Sequence, residues 1–455
     1  MSIFCLKRHS LFCHSEFETE IVPRKSYFRM NTYDAIVVGS GISGGWAAKE
    51  LCEKGLKTIL LERGRDVKHI EEYETATKAP WEFVHRGRLT LDEKSERPAQ
   101  SREGAYPANE TNGGFWVDER EHPFVEAKRF DWYRGWQVGG KSLTWGRQTY
   151  RWNEEDFLAN AKDGIAVDWP IRYKDLEPWY AYVERFVGVS GSAEGLEMLP
   201  DSVFLPPMEM NCVEKEVKKN IEKHFAGRKM LMGRVAHLTQ PQPLCQYRNQ
   251  CMRGCPYGAY FSTQAATLPA AMKTGNLTLR PHAIVHSVMY DEKTGRATGV
   301  RVIDALTNQT TEYFAKVIFL NASAIATAGI MLNSRSERFP NGLGNDSDQL
   351  GRNIMDHHSR VGASGEVDGF GDKYYFGQRP NGIYIPRYRN WGKDKREYLR
   401  GFGFQGGASR QGWWRGVAEM NFGADFKDAL SQPGRWTMGL GAFAETLPDH
   451  KNRVY

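Results

Sequence analysis

The stretch Tyr33-Asp34-Ala35-Ile36-Val37-Val38-Gly39-Ser40-Gly41-Ile42-Ser43-Gly44-Gly45-Trp46-Ala47-Ala48-Lys49-Glu50-Leu51 decides the fold. Its β-rich start reads as a strand, and Trp46 onward reads as a helix. Between them stand glycines in a G-x-G-x-x-G frame. Gly39 permits the tight turn, Gly41 lets the backbone approach a pyrophosphate, and Gly44 allows close packing of helix on strand. The helix N-terminus offers unpaired N–H groups and a positive dipole end to the phosphates. Thr58-Ile59-Leu60-Leu61 reads as the second strand and ends at Glu62, 21 residues after Gly41, where a carboxylate bonds a ribose hydroxyl. The unit is a dinucleotide-binding turn with Gly39, Gly41, Gly44 and Glu62 as its contacts. By itself it does not separate FAD from NAD, so an NAD-dependent dehydrogenase remains open at this point.

Around this unit lie 455 residues, 40% hydrophobic and 25% charged, with 61 Lys and Arg against 55 Asp and Glu, for a net charge of +6. Such a chain buries a large core and spans more than one small domain. Its basic residues form no clustered face, so no nucleic-acid partner is expected. The longest uncharged run, Val317 to Ser334, contains Asn321, Ser323, Thr327 and Asn333. That is too polar for a membrane span of about 20 apolar residues, and no transmembrane segment is expected. Residues 1–29 carry Lys7, Arg8, Arg24, Lys25 and Arg29 and no apolar run of signal-peptide length. They read as a tail outside the fold, with Met30 as a second candidate start and a transit segment as the other reading. The compartment stays open between the cytoplasm and a periplasm reached by export with a partner.

The seven cysteines are an odd number, and no disulfide framework is visible. Cys5 and Cys13 fall in the tail and Cys52 in a helix. Cys245, Cys251 and Cys255 crowd together as C-x₅-C-x₃-C-P. Thiolates are the soft ligands that iron–sulfur clusters select, and a Cys-Pro pair ends a related ligand run in bacterial ferredoxins. Three ligands suit a [3Fe–4S] cluster; a cubane needs a fourth, for which Cys212 is the candidate. Zinc on three cysteines and a histidine such as His237 stays open, as do buried or disulfide-bonded cysteines. Arg248 and Arg253 are expected either to offset a cluster's charge or to lie at the surface.

Further segments carry a resemblance. Arg134-Gly135-Trp136-Gln137-Val138-Gly139-Gly140-Lys141-Ser142-Leu143-Thr144-Trp145-Gly146 resembles the glycine-rich flavin-contacting segment of the glucose–methanol–choline (GMC) oxidoreductases. Asp168-Trp169-Pro170-Ile171 with Tyr173, Asp175, Leu176 and Tyr180 resembles a segment of the same family that leads into a helix. Asn276-Leu277-Thr278-Leu279, continuing through Ala283 to Val285, resembles the strand whose backbone meets the adenine. Val317 to Ala324 resembles the second family signature, and Gly351-Arg352-Asn353-Ile354-Met355-Asp356-His357 its G-x-N-x-x-D-H segment. These segments follow the family order over most of residues 33–358.

The resemblance implies an α/β fold: a Rossmann-like FAD-binding domain of GMC type with an antiparallel-sheet substrate domain. Residues 30–190 are expected as its first FAD part and 191–265 as an insert with the cysteines. Residues 266–358 are expected as the second FAD part and 359–455 as an incomplete substrate domain. Residues 85–130 are expected as a loop or lid. FAD contacts are expected from Gly39, Gly41, Gly44, Glu62, Gly139, Gly140, Ser142 and Val285. Some members attach flavin covalently through a histidine close to the position of Thr144, and threonine cannot do so, so non-covalent FAD is implied. Lys141 stands where many members have Ser, Thr or Gly.

The family's catalytic histidine, paired with His or Asn, lies in a closing H-x-x-G segment. Nothing like it follows Pro448-Asp449-His450-Lys451-Asn452-Arg453-Val454-Tyr455. The chain is therefore expected to be C-terminally truncated, its catalytic residue unassigned, and His357 and His358 structural. The cysteine spacing resembles that of the large subunits of bacterial FAD-dependent glucose, gluconate and fructose dehydrogenases. These pass electrons through such a cluster to a cytochrome and work with a small accessory subunit. The implied activity is oxidation of a sugar or polyol CH–OH group, with a base taking the proton as hydride passes to flavin N5. An inactive flavin-binding remnant and an oxygen-using sugar oxidase are the alternatives. Trp132, Trp136, Trp145, Trp152, Trp169 and Trp179 can stack on sugar rings, but core packing is the expected role for most of them.

Overall fold

The computed structural model of the protein describes residues 31–102, 108–240, 245–374, 382–412, 415–416 and 421–455. The expectations for residues 1–29, Cys5 and Cys13 included, lie outside the described residues. The first half runs β1 (Thr32–Val38), α1 (Ile42–Glu53), β2 (Thr58–Leu61), α2 (Leu91–Glu96), α3 (Pro98–Arg102), α4 (Glu154–Asp163), α5 (Tyr173–Val187), α6 (Cys212–His224) and β3 (Leu231–Met232). Then follow α7 (Leu268–Lys273), β4 (Leu277–Arg280), β5 (Ala283–Asp291), β6 (Arg296–Asp304), β7 (Thr310–Leu320), α8 (Ala324–Asn333), β8 (His357–Val367), β9 (Ile383–Ile385), β10 (Gly403–Arg410), α9 (Ala424–Ser431) and β11 (Trp436–Glu445).

The first sheet has the order β4-β2-β1-β7-β6-β5. Strands β4, β2, β1 and β7 run parallel, with Val38 of β1 in register with Leu61 on one side and Leu320 on the other. Strands β6 and β5 are antiparallel additions. Side chains alternate across a strand, and β1 divides accordingly. Ile36 and Val38 join Ile59, Leu61, Val285, Val300 and Val302 on one face. Val37 joins Leu60, Ala48, Val138 and Leu268 on the other. Burial on both faces is why β1 and β2 read as continuous apolar runs. The start of β5 returns to the end of β2: Ala283 N–H donates to the Glu62 carbonyl at 2.8 Å and His282 N–H to the Gly64 carbonyl at 2.9 Å.

The second sheet is antiparallel, with the order β3-β9-β10-β11-β8. Helix α6 is pinned to it through buried groups. Asn211 Nδ2 donates to the Ala408 carbonyl at 2.8 Å, and Glu214 Oε1 accepts from the Ala408 N–H at 3.1 Å. Residues Gly362, Gly406, Gly439 and Gly441 help to line a shallow basin of about 570 Å³ on this sheet. The Rossmann-like sheet and the separate antiparallel sheet are the α/β architecture expected from the sequence.

Two expectations are corrected. Residues 85–130, expected as a loop or lid, include two short helices among the described residues, α2 and α3. Thr90 caps α2, its hydroxyl accepting from the Glu93 N–H at 3.1 Å while Glu93 accepts from the Thr90 N–H at 2.8 Å, the reciprocal pair of a capping box. The tryptophans do not mostly pack in the core: Trp152, Trp169 and Trp179 are exposed. Trp152 and Trp169 meet edge to face instead, their centroids 5.6 Å apart.

Candidate FAD and cysteine site

At the carboxyl end of β1 the chain turns through Gly39, at φ +89. A Cβ on Gly39 would lie 2.5 Å from the Asn321 carbonyl oxygen, and one on Gly44 would lie 1.8 Å from the Gly39 carbonyl oxygen. Both close approaches exclude any side chain. Gly41 differs, since a Cβ there meets nothing within 4 Å. It is the N-cap of α1, with no side-chain cap bond and no acidic residue in the first turn. The first N–H groups of α1 are thus left for a ligand in the open space before the helix. The Asn321 side-chain oxygen, beside the same turn, is buried with no partner among the described residues.

Glu62 ends β2 and is buried. Its Oε2 accepts from the Ser40 N–H at 3.0 Å and the Ser40 hydroxyl at 2.5 Å, and its Oε1 accepts from the Gly64 N–H at 3.0 Å. Burial pushes this carboxyl above the usual range, while the bonds from Ser40 and Gly64 pull it back. The Ser40 hydroxyl also accepts from the Gly139 N–H at 2.9 Å. Gly139 and Gly140 both have positive φ, and a Cβ on Gly140 would sit 3.4 Å from the Gly41 Cα. The glycine pair therefore lies against the dinucleotide turn. Ser142 uses its hydroxyl inside this scaffold, donating to the Gly139 carbonyl at 2.6 Å and accepting from the Thr263 N–H at 3.0 Å. Thr263–Thr267 is a π-helical turn, packed so closely on α1 that a Cβ on Gly45 would lie 2.5 Å from the Thr263 Cγ2. Val285 shares a core cluster with Val38 and Leu61.

The structure thus gathers Gly39, Gly41, Gly44, Glu62, Gly139, Gly140 and Ser142 near the carboxyl ends of β1 and β2, where open α/β sheets bind ligands, while the Val285 side chain lies in the core beside Val38 and Leu61. An open cradle, an uncapped helix terminus and the orphaned Asn321 oxygen fit a dinucleotide. Reading the sequence missed Ser40, Gln264 and Asn321. The Gln264 Oε1 is likewise buried without a partner among the described residues, 3.0 Å from where a Cβ on Gly139 would be. Ser40 carried a signal, a hydroxyl between two glycines of the motif. Gln264 and Asn321 carried none.

Cys245, Cys251 and Cys255 line one small cavity of about 30 Å³ together with His237 and Tyr260. Cys251 Sγ is 3.9 Å from His237 Nε2. Burial pushes the Cys245 thiol up to about 11. Burial raises Cys251 too, with Arg147 pulling it back more than Arg248 does. Burial, aided by Arg147, holds the His237 imidazole well below its ordinary value. Among the described residues no group of three or more His, Cys, Asp or Glu side chains is placed to hold a metal ion. Zinc draws its thiolates to roughly 3.8 Å of one another, given bonds of about 2.3 Å. A cluster binds each thiolate to a separate iron and takes ligands from around a rim. Three thiols on one cavity have the donor chemistry for a cluster. The cavity, about the size of one water molecule, is too small for a cluster as the loop stands.

Cys212, the candidate fourth ligand, opens α6 and is not among the residues lining the cavity. Arg248 and Arg253 are drawn to backbone. Arg248 donates to the Ala76 carbonyl, and Arg253 donates to the Lys78 carbonyl at 3.0 Å. They dock the loop on residues 76–78, a role expected for neither. The Tyr260 hydroxyl donates to the Leu143 carbonyl at 2.7 Å and reaches the Cys251 carbonyl at 3.4 Å, tying the cysteine loop to the flavin-type segment. His357 and His358 lie far from this chemistry in role: they are exposed at the start of β8, opposite Glu445 and Ala444.

The chain is 28% identical to the fructose dehydrogenase large subunit of Gluconobacter japonicus over 337 residues, 71% of this chain and 58% of that protein. It is 27% identical to 2-methyl-1,2-propanediol dehydrogenase of Mycolicibacterium austroafricanum, over 73% of this chain and 56% of the relative. It is also 27% identical to paromamine 6'-oxidase of Streptomyces fradiae, over 74% and 56%. The chain matches a little over half the length of these relatives. Pyridoxine 4-oxidase from Mesorbium loti has a similar fold, with a TM-score of 0.51 at 15% identity over 90% of this chain and 71% of that one. The GMC oxidoreductase family model matches residues 33–359. With that match over the sheet, the glycine turn and the cysteine loop, the chain belongs to the GMC oxidoreductase family.

Proposed function

We propose that this chain forms the FAD-binding and electron-relay part of a dehydrogenase that oxidises a sugar or polyol CH–OH group. Cys245, Cys251 and Cys255 would be the ligands of a [3Fe–4S] cluster, which would supply one-electron transfer to an external acceptor. A cytochrome and a small accessory subunit are the partners. The observation that carries the reading is the Tyr260 hydroxyl, which bridges the Leu143 and Cys251 carbonyls. This contact ties the cysteine loop to the segment expected to meet flavin, which supports a relay between them. Relatives named for fructose, a diol and paromamine support a polyhydroxylated substrate.

Bound FAD supplies a hydride acceptor that can also release electrons singly. The first N–H groups of α1, freed by Gly39, Gly41 and Gly44, would hold the pyrophosphate. Glu62 would take a ribose hydroxyl, the backbone at Val285 would meet the adenine, and Gly139 and Gly140 would admit the ring system to the backbone. Ser142 holds that segment in shape. Oxidation of the alcohol removes a hydride from carbon and a proton from oxygen, and no residue of this chain is assigned as the base for that proton.

The test is anaerobic. Purified protein is analysed for FAD, iron and sulfide. The flavin is then photoreduced while the oxidised-cluster EPR signal is followed, and sugars and polyols are screened for flavin bleaching. The reading requires iron with sulfide, loss of the EPR signal as flavin electrons arrive, and bleaching by a polyhydroxylated alcohol. Absence of iron, or an EPR signal indifferent to the reduced flavin, removes the relay.

A further inference from the structure

A file of aromatic rings runs from the segment expected to meet flavin to the protein surface. Trp145 is held by its indole N–H, which donates to the Phe261 carbonyl at 2.9 Å. Its ring meets the Phe261 ring edge to face, 6.2 Å between centroids. Phe261 lies 6.5 Å from Trp46 of α1, and Trp46 lies 5.9 Å from Tyr182 of α5. Trp145, Phe261 and Trp46 share one apolar cluster. Tyr182 is 38% exposed and ends the file at solvent. Its hydroxyl oxygen accepts from Lys49 Nζ at 2.8 Å, and its O–H donates to Glu50 Oε1 at 2.6 Å. The phenol proton is thus directed at a carboxylate through a short charge-assisted bond. The Lys49 ammonium lies 5.3 Å from the centroids of both Trp46 and Tyr182. Such a cation attracts a neutral ring and repels positive charge placed on it. Ring packing alone accounts for neither the buried ammonium nor the carboxylate on this phenol.

We propose that Trp145, Trp46 and Tyr182 form a one-electron relay between the flavin site and the surface, with Glu50 as the proton acceptor at its outer end. This relay rests on the FAD reading and does not involve the cysteine loop. The oxidant is bound FAD excited by blue light, a state in which oxidised flavin is strong enough to take an electron from an indole. One electron passes from Trp145 to the flavin. Trp46 refills Trp145, the electron tunnelling past Phe261, whose ring is too hard to oxidise to hold the vacancy itself. Tyr182 then refills Trp46. As it does so its O–H bond breaks, and the proton goes to Glu50, which becomes a carboxylic acid. The flavin has gained one electron, and Tyr182 is left as a neutral phenoxyl radical, short of one electron and one proton. Lys49 opposes a positive charge resting on Trp46, so the vacancy settles on Tyr182, which sheds its charge with the proton. The further activity is photoreduction of the flavin by an external one-electron donor that refills Tyr182 at the surface.

The test uses the full chain with FAD bound, under argon, with flavin content and circular dichroism as folding checks. Transient absorption follows a blue laser pulse, and flavin bleaching is followed under steady blue light with ascorbate as the donor. Wild type is expected to show an indole cation radical that gives way to a phenoxyl radical, and to bleach. Tyr182→Phe keeps the ring but loses the phenoxyl signal; the indole radical recombines with the flavin, and bleaching slows. Trp46→Phe loses the phenoxyl signal in the same way, and Glu50→Gln forms it more slowly. Trp169→Phe alters an exposed tryptophan off the route, beside Trp152 and Phe157, and bleaches as wild type does. A phenoxyl signal that persists in Tyr182→Phe, or equal bleaching in wild type, Trp46→Phe and Tyr182→Phe, overturns the relay. Equally fast phenoxyl formation in Glu50→Gln overturns the role of Glu50. A chain that takes up no FAD removes the flavin reading and the relay together, whereas one that holds FAD and fails these tests removes the relay alone.

Discussion

The Ser40 hydroxyl donates to Glu62 at 2.5 Å and accepts from the Gly139 N–H at 2.9 Å, so one small side chain joins the ribose-type carboxylate to the flavin-type segment. Ser40→Ala removes both bonds and leaves a buried N–H and part of a buried carboxylate less satisfied. The expected cost is about 1–3 kcal/mol, read as FAD affinity lowered about tenfold or more by fluorescence quenching. Unchanged affinity would show that the bridge is incidental.

Gly41 and Gly44 separate ligand approach from packing. Gly44→Ala drives a Cβ to 1.8 Å from the Gly39 carbonyl oxygen and is expected to lower the melting temperature and abolish flavin loading together. Gly41→Ala meets no protein atom within 4 Å, so its apo-protein should melt near wild type while FAD binding falls. A Gly41→Ala chain that binds FAD normally would mean that the pyrophosphate does not pass there.

FAD is expected to leave the chain on acid or heat denaturation, because Thr144 offers no covalent attachment. Colourless precipitate and yellow supernatant are the expected result. Flavin retained on the precipitated chain is the contrary one.

Tyr260→Phe keeps the ring and deletes the hydroxyl, leaving the buried Leu143 carbonyl short of a donor. A loss of about 1–3 kcal/mol in denaturant unfolding is expected, with slower passage of electrons from photoreduced flavin to the cysteine site. Wild-type transfer rates in this variant would show that the bridge supports only the fold.

Lys49 is buried on α1 beneath Trp46, Tyr182 and Phe186, and bonds Glu53 at 2.8 Å, Tyr182 at 2.8 Å and Glu50 at 3.0 Å. Burial works against the Glu50 charge, yet bonds from Tyr182, Lys54 and Lys49 hold its carboxyl at about 2 against an ordinary 4.5. A depressed carboxyl stabilises the fold above its unfolded value, and that contribution disappears as pH falls through the folded one. Wild type should therefore exceed Glu50→Gln in stability at neutral pH, by about 1 kcal/mol or less for so exposed a group. The advantage should vanish between pH 4.5 and about 2. A constant difference across that range would exclude the ionised Glu50 as its source.

The parts legible in the sequence are those fixed by local pattern. Gly39, Gly44 and the apolar runs of β1 and β2 each follow from the chemistry of neighbouring residues. The capping box Thr90-x-x-Glu93 was equally local and announced α2 inside a stretch expected as a loop. What sequence reading did not reach depends on contacts made at a distance. Ser40 meets Gly139 across 99 residues, β3 is two residues long and has meaning only beside β9, and Arg147 resembles every other arginine until its burial is seen. The loop arginines misled for the same reason, since the carbonyls of Ala76 and Lys78 that claim them lie far back along the chain.

Glycines Gly362, Gly406, Gly439 and Gly441 help to line the basin on the second sheet, which bears on how this surface can be remodelled. A methyl group at Gly406 would strike the Gly439 carbonyl oxygen at 1.9 Å, and one at Gly362 the Leu440 carbonyl oxygen at 2.5 Å, so these positions cannot vary without parting the strands. A methyl at Gly439 meets nothing within 4 Å. Directed variation should begin at Gly439, where each added atom takes volume from the basin and leaves the ladder beneath it intact.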